Sequence, residues 1–456
     1  MLLSRVTIAT SAVIVIAVGL LAACTNTAPT PAGTAALAGC DGKVNGPITI
    51  KVATHAKNDT TAPVNPIKVY KDLVDTFNTT VGKDKGITVE LVNYGEKAYE
   101  QGLIAAVQSG AAPDVDEVDA PFIGQFAYND VIQPFGSCAT SAKLATFIPS
   151  VVNNGKYKGK QYTLGAYDGG MGLWASKKAL AKAKARIPSG AADAWTVDEF
   201  TTILKNLKAA GYSTPLNIEW GYGAGEWRPF GFGPTLLSGG GGLLKPDFSG
   251  ADGAINSSAS VKALTWFQDW SKAGYLDLST AAGANDTNFT TGKTAISWVG
   301  HWMEGTFRAK LGDDLTLVPL PNFGAGSKVY TGSWSFGMSK TTKDPDAAWA
   351  FIDYMTSPDA VKKLAASESA VPALKSVYEA DPAYQKGGAR YLYAQNLSDP
   401  SVAIARPQTP AYLVARDEFS TAFADIIGGA PVKATLDKAA QKIDTDIKAN
   451  RGYAAN

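Results

Sequence analysis

The sequence predicts an α/β protein that is large enough for two lobes. The chain has 456 residues, and single hydrophobic cores usually stop growing near about 250–300 residues. Short segments in which every second residue is apolar alternate along the chain with segments whose apolar residues have helical spacing. This order of strands and helices is typical of a mainly parallel sheet flanked by helices. Because 45% of the residues are hydrophobic and 18% are charged, the composition is that of an ordinary globular protein.

The first part of the chain shows this alternation of strands and helices. Residues 48–53 alternate as a strand, and the Asn65-Pro66 pair can start a helix. Residues 87–91 alternate again, and a second helix is predicted through residues 103–107 before Gly110 ends it. The order of strand, helix, strand and helix predicts neighbouring parallel strands.

The later helices are predicted from their start signals and their apolar faces. Thr196 and Glu199 have the spacing of a capping box, which predicts a helix start. Asp344-Pro345 and Ser357-Pro358 are cap-and-proline pairs, and they predict two consecutive helices. The last helix is predicted from apolar residues at helical spacing, which are Leu436, Ala440, Ile443 and Ile447.

The N-terminal segment has the features of a secretory signal. Arg5 precedes a mostly apolar stretch at residues 6–19, and Leu21-Ala22-Ala23-Cys24 follows it. The last four residues resemble a bacterial lipobox, so residues 1–23 are predicted to be a lipoprotein signal peptide and Cys24 the lipid-modified N-terminus. The alternative is an uncleaved transmembrane anchor, although the stretch is short for a membrane span.

The residues after Cys24 are predicted to form a flexible tether. The run TNTAPTPAGTAALA is rich in Thr, Ala and Pro, a composition that is typical of linkers. The tether is predicted to cover residues 24–44. It would lift the folded body away from a membrane.

Cysteine usage predicts one disulfide and no metal site. The chain has three cysteines, so a lipid on Cys24 leaves Cys40 and Cys138, which would pair in an oxidising compartment. The wide spacing of Cys40 and Cys138 is not that of metal ligands. The sequence has only two histidines that could serve as ligands, His55 and His301. We therefore expect neither a metal nor a cofactor.

Charge and motif content exclude several classes of protein. The chain has 42 basic and 41 acidic residues, and it lacks the basic stripe of a nucleic-acid-binding protein. The sequence contains no G-x-S-x-G elbow of a serine hydrolase. It also contains no P-loop pattern, which argues against nucleotide hydrolysis.

Several segments in order resemble the family 1 extracellular solute-binding proteins, the group that includes maltose-binding protein. The resemblance extends from about residue 45 to the end of the chain. The segments that carry it are the run 110–126 with its Pro113-Asp114-Val115 turn, YTLGAYDGGMGLWASK at 162–177, FTTGKTAISWVGHW at 289–302, GSWSFGMSK at 332–340 and RPQTPAY at 406–412.

The resemblance implies two lobes with a ligand cleft between them and several crossing segments. Lobe one would comprise residues 45–165 with 338–374, and lobe two residues 166–330 with 375–456. Residues 331–337 would form one hinge crossing, and further crossings are expected near Leu164 and Val371.

The expected site combines aromatic faces for sugar rings with planar polar groups for sugar hydroxyls. Trp302 follows a predicted strand at residues 295–299 and matches the stacking tryptophan of the family. Trp334 and Ser333 precede a crossing segment. Either Trp220 or Trp227 is expected to line the cleft, and the sequence does not decide which.

Polar ligand contacts are expected from segments that match the family, at Asp119, Asp168, Arg406 and Tyr412. His55 and Asp59 follow the first strand and are candidates of the same kind, although the family often has an aromatic residue near this position and this chain has His55-Ala56-Lys57-Asn58 instead. Each has a structural alternative, because carboxylates also cap helices and aromatic residues also fill cores. His301 is interpreted as a structural neighbour of Trp302 rather than as a ligand or base.

The predicted function is capture of a mono- or oligosaccharide outside the cytoplasm by a monomeric, lipid-anchored binding protein that serves an ABC importer. One alternative is a secreted glycoside hydrolase, which needs two carboxyl groups about 5–10 Å apart, one with a raised pKa. Asp119, Asp168, Glu226 and Glu304 are the available carboxyl groups, and their spacing in the sequence marks no such pair. A second alternative is a lipoprotein that binds peptides, amino acids or an anionic solute.

Overall fold

The computed structural model describes residues 40–58, 64–94 and 99–454. The signal peptide, Cys24, most of the tether and Asp59 lie outside the described residues. Among the helices of the described ranges, none combines the length and the apolar composition needed to cross a membrane.

The described chain alternates helices and strands, as the sequence predicts. Strands β1 to β17 span, in order, Ile48–Thr54, Ile87–Asn93, Val115–Asp119, Ile132–Gln133, Lys156–Tyr157, Lys160–Gln161, Thr163–Leu164, Tyr167–Asp168, Met171–Ser176, Leu216–Asn217, Leu276–Asp277, Ile296–Gly300, Leu315–Val318, Val329–Thr331, Trp334–Ser339, Val371–Pro372 and Ala403–Ala405. Helices α1 to α18 span, in order, Pro66–Thr79, Val81–Lys85, Tyr99–Gln108, Ile123–Tyr128, Ser141–Ala145, Pro149–Asn154, Lys177–Lys182, Val197–Ala209, Trp227–Gly239, Ser258–Lys272, Ala284–Thr290, Glu304–Leu311, Pro345–Met355, Pro358–Ser367, Lys375–Ala380, Tyr391–Ser398, Tyr412–Ile427 and Val432–Ala449.

The first large sheet has the strand order β2-β1-β3-β15-β4, and β7 also pairs with β15. Strands β1, β2 and β3 are parallel, whereas β15 runs antiparallel to β3. In this register Trp334, the first residue of β15, is opposite Asp119, the last residue of β3. The carboxyl ends of the parallel strands and the start of β15 therefore meet at one edge of the sheet.

The second large sheet has the order β11-β10-β12-β9-β13. Strands β10, β11 and β12 are parallel, and β9 runs antiparallel to both β12 and β13. The chain passes from the first sheet at β7 to the second sheet at β9, and it returns between β13 and β15. The predicted α/β class with two lobes is confirmed, and the exact lobe boundaries stay a prediction.

Two short pairings lie in the passages between the large sheets. Strand β8 pairs with β16, and β14 pairs with β17. The predicted hinge crossing at residues 331–337 overlaps the start of β15, which is already hydrogen-bonded to β3.

Helices α8 and α18 show the local causes that the sequence indicates, whereas the predicted caps at Asn65, Asp344 and Ser357 make no side-chain cap hydrogen bond. The Thr196 hydroxyl accepts the backbone N–H of Glu199 at 3.2 Å, and it caps α8. The apolar face of α18 buries the four residues that predicted it. Asn65 precedes α1 without a side-chain cap hydrogen bond, and its amide N–H donates to Asn58 Oδ1 at 2.9 Å.

The predicted disulfide between Cys40 and Cys138 is present in the structure. Cys138 is buried in the core beside the first sheet, whereas Cys40 is exposed. The residues after Cys40 lie against α2, because the Lys85 ammonium donates to the Asp41 carbonyl. The start of the described chain is therefore held covalently to the segment that follows β4.

Candidate functional site

A cleft of about 600 Å³ lies where strand ends of the two large sheets face each other. In parallel sheets such crevices at the carboxyl ends of strands are the usual place for ligands. The first sheet and its connections contribute His55, Asp119, Ser333 and Trp334. The second contributes Glu219, Tyr222, Trp227, Phe230, His301 and Trp302.

Trp334 forms the aromatic wall on the side of the first sheet. Its indole ring stacks on the His55 imidazole with the ring centroids 3.9 Å apart and the planes 8° from parallel. The Tyr99 ring contacts the same indole edge-on at 5.1 Å. Because His55 and Tyr99 contact the indole from two directions, the orientation of the Trp334 ring in the lining of the cleft is fixed.

A buried carboxylate holds His55 under this wall. The Glu117 Oε2 accepts from Thr54 Oγ1 at 2.6 Å, and it lies 3.0 Å from His55 Nδ1. The Tyr70 hydroxyl donates to the other oxygen of Glu117. Burial opposes ionisation of Glu117, but the charge of His55 and these hydrogen bonds outweigh burial and lower its pKa.

Trp302 forms the facing wall on the side of the second sheet. It follows β12 in a short 3-10 helix at His301–Met303, and its indole N–H donates to the Tyr222 hydroxyl at 3.2 Å. The Trp227 ring contacts it edge-on at 6.0 Å, and Phe230 lies behind it at 6.2 Å. A Cβ on Gly300 would lie 2.1 Å from Cζ3 of Trp302, so this ring position requires glycine there.

Arg406 connects three polar groups at the floor of the cleft. The residue is 3% exposed, and its guanidinium donates to Glu226 Oε1 at 2.7 Å and to Asp119 Oδ1 at 2.9 Å. It also donates to the Gly332 carbonyl at 3.1 Å, and it lies over the Phe230 ring at 4.8 Å. One buried cation thus holds carboxylates from both sides of the cleft in place.

The carboxyl group of Glu226 is buried, and the charge of Arg406 offsets only part of the effect of this burial on its pKa. Burial raises its pKa to about 7, which the charge of Arg406 opposes and the charge of Asp119 reinforces. The Tyr412 hydroxyl and Arg406 both donate to Oε1. The other oxygen, Oε2, is buried and accepts no hydrogen bond from the residues that the structure describes.

A second carboxyl pair lies at the wall beside β10. Glu219 is 1% exposed, and its Oε1 accepts from the Asn217 amide and from Ser297 Oγ at 3.4 Å. Burial and the neighbouring Asp286 carboxyl raise the pKa of Glu219 to about 9. Burial also raises the pKa of Asp286, although Glu219 and the more distant Lys57 charge oppose that shift.

Three of the residues expected at the cleft lie behind it. Asp168 is buried, and its Oδ1 accepts the backbone N–H groups of Gly169 at 2.7 Å and Gly332 at 2.9 Å, so it joins two crossing segments. Tyr412 is fully buried and reaches the cleft only through Glu226. Trp220 lies against Arg228 at 4.5 Å, whereas Trp227 lines the cleft.

His301 lines the cleft and also joins the end of β12 to the segment between β8 and β9. Its Nδ1 accepts the backbone N–H of Gly170 at 3.0 Å. Burial lowers its pKa to about 4, so the ring is neutral at ordinary pH. In the part of the chain that the structure describes, no three His, Cys, Asp or Glu side chains are arranged to hold a metal ion.

Sequence reasoning missed several lining residues. Tyr222, Phe230 and Asn285 line the cleft, yet they lie in loops or helix starts without a regular period. Glu219 and Glu226 stand in the glycine-broken segment LNIEWGYGAGEWRPF. Glu219 comes shortly after the end of β10, and this position is the signal that could have identified it as a cleft residue.

The sequence of the chain is similar to those of bacterial and archaeal solute-binding proteins. Residues 72–390 match a family model described as bacterial extracellular solute-binding protein. A maltotriose-binding protein of Pyrococcus abyssi is 22% identical over 356 residues, which cover 76% of this chain and 71% of the relative. The maltodextrin-binding protein MdxE of Bacillus subtilis is 25% identical over 296 residues, which cover 63% of this chain and 67% of the relative.

A solved structure agrees with this chain in fold. The GacH receptor of Streptomyces glaucescens, which was solved without ligand and with acarbose, superposes with a TM-score of 0.71 at 21% identity. The match covers 89% of this chain and 99% of that protein.

Proposed function

Because the chain belongs to the bacterial extracellular solute-binding protein family, we propose that it captures a carbohydrate outside the cytoplasm and delivers it to an ABC importer. A lipid on Cys24 holds it at the membrane, and it works as a monomer without catalysing a reaction on its ligand. The two relatives described above are named for binding maltotriose and maltodextrin, which supports an oligosaccharide as the ligand.

The observation that carries this proposal is the pair of aromatic walls on opposite sides of the cleft. Trp334 belongs to the first sheet and Trp302 follows a strand of the second. Indole faces cover the C–H faces of sugar rings, and the carboxylates between the walls accept hydrogen bonds from hydroxyls. A ligand that contacts both walls favours the conformation in which the walls approach each other.

The carboxyl groups of the cleft support binding rather than hydrolysis. Asp119 and Glu226 accept from the same guanidinium, so neither is placed as an independent acid or nucleophile across a bond. Glu304 is paired with Arg390 at 2.6 Å, and Asp168 is buried behind the cleft. A retaining or inverting hydrolase needs two carboxyl groups free to act on opposite sides of the scissile bond.

The test is calorimetric titration of the full-length protein with mono- and oligosaccharides, amino acids and peptides. The protein is kept in a detergent without a sugar head group, because maltoside detergents would compete for the cleft. A saturable response to a saccharide that is recovered intact after a day supports the proposal. Cleavage of the saccharide, or a response to peptides alone, contradicts it.

Two tryptophan variants localise the binding. Trp302→Ala removes a wall of the cleft and is expected to weaken saccharide binding by about 1–2 kcal/mol, the usual cost of losing an aromatic anchor. Trp220→Ala is the matched control, because this indole does not line the cleft. Equal affinities of the two variants would contradict the assigned site.

The lipid anchor is tested separately. Cys24→Ala removes the residue that would carry the lipid, so metabolic labelling with a fatty acid is expected to label the unchanged protein and not the variant. An unchanged protein that takes up no label, or a variant that is labelled equally, would contradict the lipid anchor without touching the binding function.

A further inference from the structure

Glu117 holds both of the rings that contact the Trp334 indole. Its carboxylate lies 3.0 Å from Nδ1 of His55 and accepts the His55 backbone N–H at 3.1 Å. Its own backbone N–H donates to the Tyr99 hydroxyl at 2.9 Å. His55 stacks on the indole, and Tyr99 contacts it edge-on. A strand residue that is 1% exposed and lies behind the lining of the cleft therefore fixes the surroundings of Trp334.

The contacts of the Glu117 carboxylate favour its ionised form. Each contact comes from a group that can donate a hydrogen bond, namely the Thr54 and Tyr70 hydroxyls, the His55 backbone N–H and His55 Nδ1. A carboxylate that accepts several hydrogen bonds is stabilised as the anion. Nδ1 of His55 therefore carries a hydrogen, because a bare nitrogen at 3.0 Å would repel the carboxylate.

A buried carboxylate of this kind needs a positive charge beside it. Removing an ion from water is costly unless an opposite charge is close. In the described part of the chain, Glu117 forms its ion pair with His55 and with no lysine or arginine. A proton on each nitrogen of the imidazole supplies that charge. The imidazolium then lies parallel to the Trp334 ring with the centroids 3.9 Å apart, and the π electrons of an indole attract a cation that lies over its face.

The other titratable groups around the His55 and Glu117 pair are three tyrosines and two charged residues. They are Tyr70 on α1, Tyr99 on α3, Tyr167 on β8, Lys57 and Glu368. Burial raises the pKa of each tyrosine well above its ordinary value, so the three hydroxyls stay neutral where a histidine titrates. Lys57 and Glu368 line the cleft together with His55, whereas Glu117 contacts the imidazole directly. The charge of His55 therefore depends most directly on Glu117.

We propose that Glu117 is a positioning residue for saccharide binding, and that it acts by keeping His55 as an imidazolium stacked on Trp334. The proposal rests on the carbohydrate-binding function and adds to it a residue outside the lining of the cleft. The charged stack holds the indole in one orientation, so that binding does not have to order the ring. When His55 loses its proton, the attraction between the two rings weakens, and the saccharide binds less tightly.

Linkage between protonation and binding tests this proposal on the unchanged full-length protein. Histidine rings labelled with ¹³C are followed by nuclear magnetic resonance from pH 5 upward until His55 is neutral, in a detergent without a sugar head group. The signal of His301 is separable, because the pKa of this residue is about 4. The ligand is the saccharide that calorimetry identifies, with maltotriose as the first probe.

Binding and protonation are reciprocal, so the ligand has a defined effect on the His55 titration. If the protonated form binds about threefold more tightly, as the usual strength of a cation over an aromatic ring suggests, saturating saccharide moves the midpoint upward by about 0.5 pH units. A midpoint that does not rise, or a His55 ring that is already neutral at pH 5, overturns the inference and leaves the proposed function intact.

Glu117→Gln shows whether the carboxylate is the source of the charge. The amide keeps the size of the side chain and removes its charge, so the His55 midpoint is expected to fall. The affinity of the unchanged protein divided by that of the variant should be close to one at a pH below both midpoints and at least about threefold between them. Glu219 and Glu226 titrate in both proteins, so their effects are common to the two affinities. A ratio that does not change with pH means that the role is structural alone, and it overturns the inference.

Asp114→Asn is the matched control, because this carboxylate immediately precedes β3 and accepts from the Lys51 backbone N–H at 2.9 Å and the Thr342 hydroxyl at 2.6 Å. A midpoint shift as large as that of Glu117→Gln in this control overturns the inference. If Glu117→Gln does not fold, the linkage measurement still decides, since it needs no variant. If no saccharide binds to the unchanged protein, the proposed function itself fails, and the inference fails with it.

Discussion

Replacing Arg406 with methionine removes the cation that joins the two sides of the cleft floor. Arg406→Met keeps much of the apolar length of the side chain and deletes the guanidinium. The variant loses hydrogen bonds to Glu226, to Asp119 and to the Gly332 carbonyl. It leaves two carboxylates near each other without the charge that held them.

The expected loss follows from the burial of this group. The side chain is 2% exposed, and removing one partner of a buried ion pair costs about 3–5 kcal/mol. Glu226 limits the loss, because its pKa is already raised to about 7 and it can take up a proton. We expect the unfolding free energy to fall by about 3 kcal/mol at pH 8 and by less at pH 5, where Glu226, with its raised pKa, is more protonated.

The assay is urea unfolding of the unchanged protein and of Arg406→Met at the two pH values given above. Arg186→Met is the control. The Arg186 side chain is 42% exposed and pairs with Asp193 at 2.8 Å and Glu199 at 2.7 Å. Exposed pairs are usually worth about 0–1 kcal/mol, so this control should lose at most that amount. Equal losses for the two variants, or a loss at Arg406 that does not depend on pH, would refute the reasoning.

Three further changes have defined outcomes. Gly300→Ala places a Cβ 2.1 Å from the Trp302 ring, so saccharide affinity measured by calorimetry should fall about as far as in Trp302→Ala; unchanged affinity would mean that the ring position does not matter. Glu219 has a folded-state pKa of about 9 against an ordinary value of 4.5, so its contribution to stability is present below pH 4.5 and is lost as pH rises toward 9. Urea unfolding of Glu219→Gln should show a flatter pH dependence between pH 6 and 9 than the unchanged protein, and an identical slope would contradict the raised pKa. Reduction of the Cys40–Cys138 disulfide, which spans 98 residues, should lower the unfolding free energy by about 2–4 kcal/mol, and an unchanged urea midpoint after complete reduction would contradict a stabilising role.

The regular elements could be predicted because their causes are local. The capping box at Thr196 and the apolar face of α18 depend on residues three or four positions apart. The disulfide could also be predicted, since the prediction that Cys24 carries a lipid left two cysteines to pair.

The role of individual polar residues could be predicted less well, because it depends on contacts between distant segments. Asp168 stands in a segment that resembles the family's binding region, yet its Oδ1 faces Gly332, which is 164 positions away. Tyr412 and Arg406 lie in the same short segment, and only Arg406 lines the cleft. Whether a carboxylate lines the cleft or hydrogen-bonds the crossing segments depends on how distant parts of the chain pack together. The residues next to it in the sequence do not show this.

The disulfide near the start of the described chain also determines where a mechanical load enters the protein. Without it, a pull on the N-terminal end would act directly on β1, which lies between β2 and β3 and would be unzipped from both. With Cys40 bonded to Cys138, the force passes to the residues after β4 and bypasses β1. In the proposed lipid-anchored form, a pull from the membrane would thereby bypass the strand that leads to His55, the residue on which Trp334 stacks.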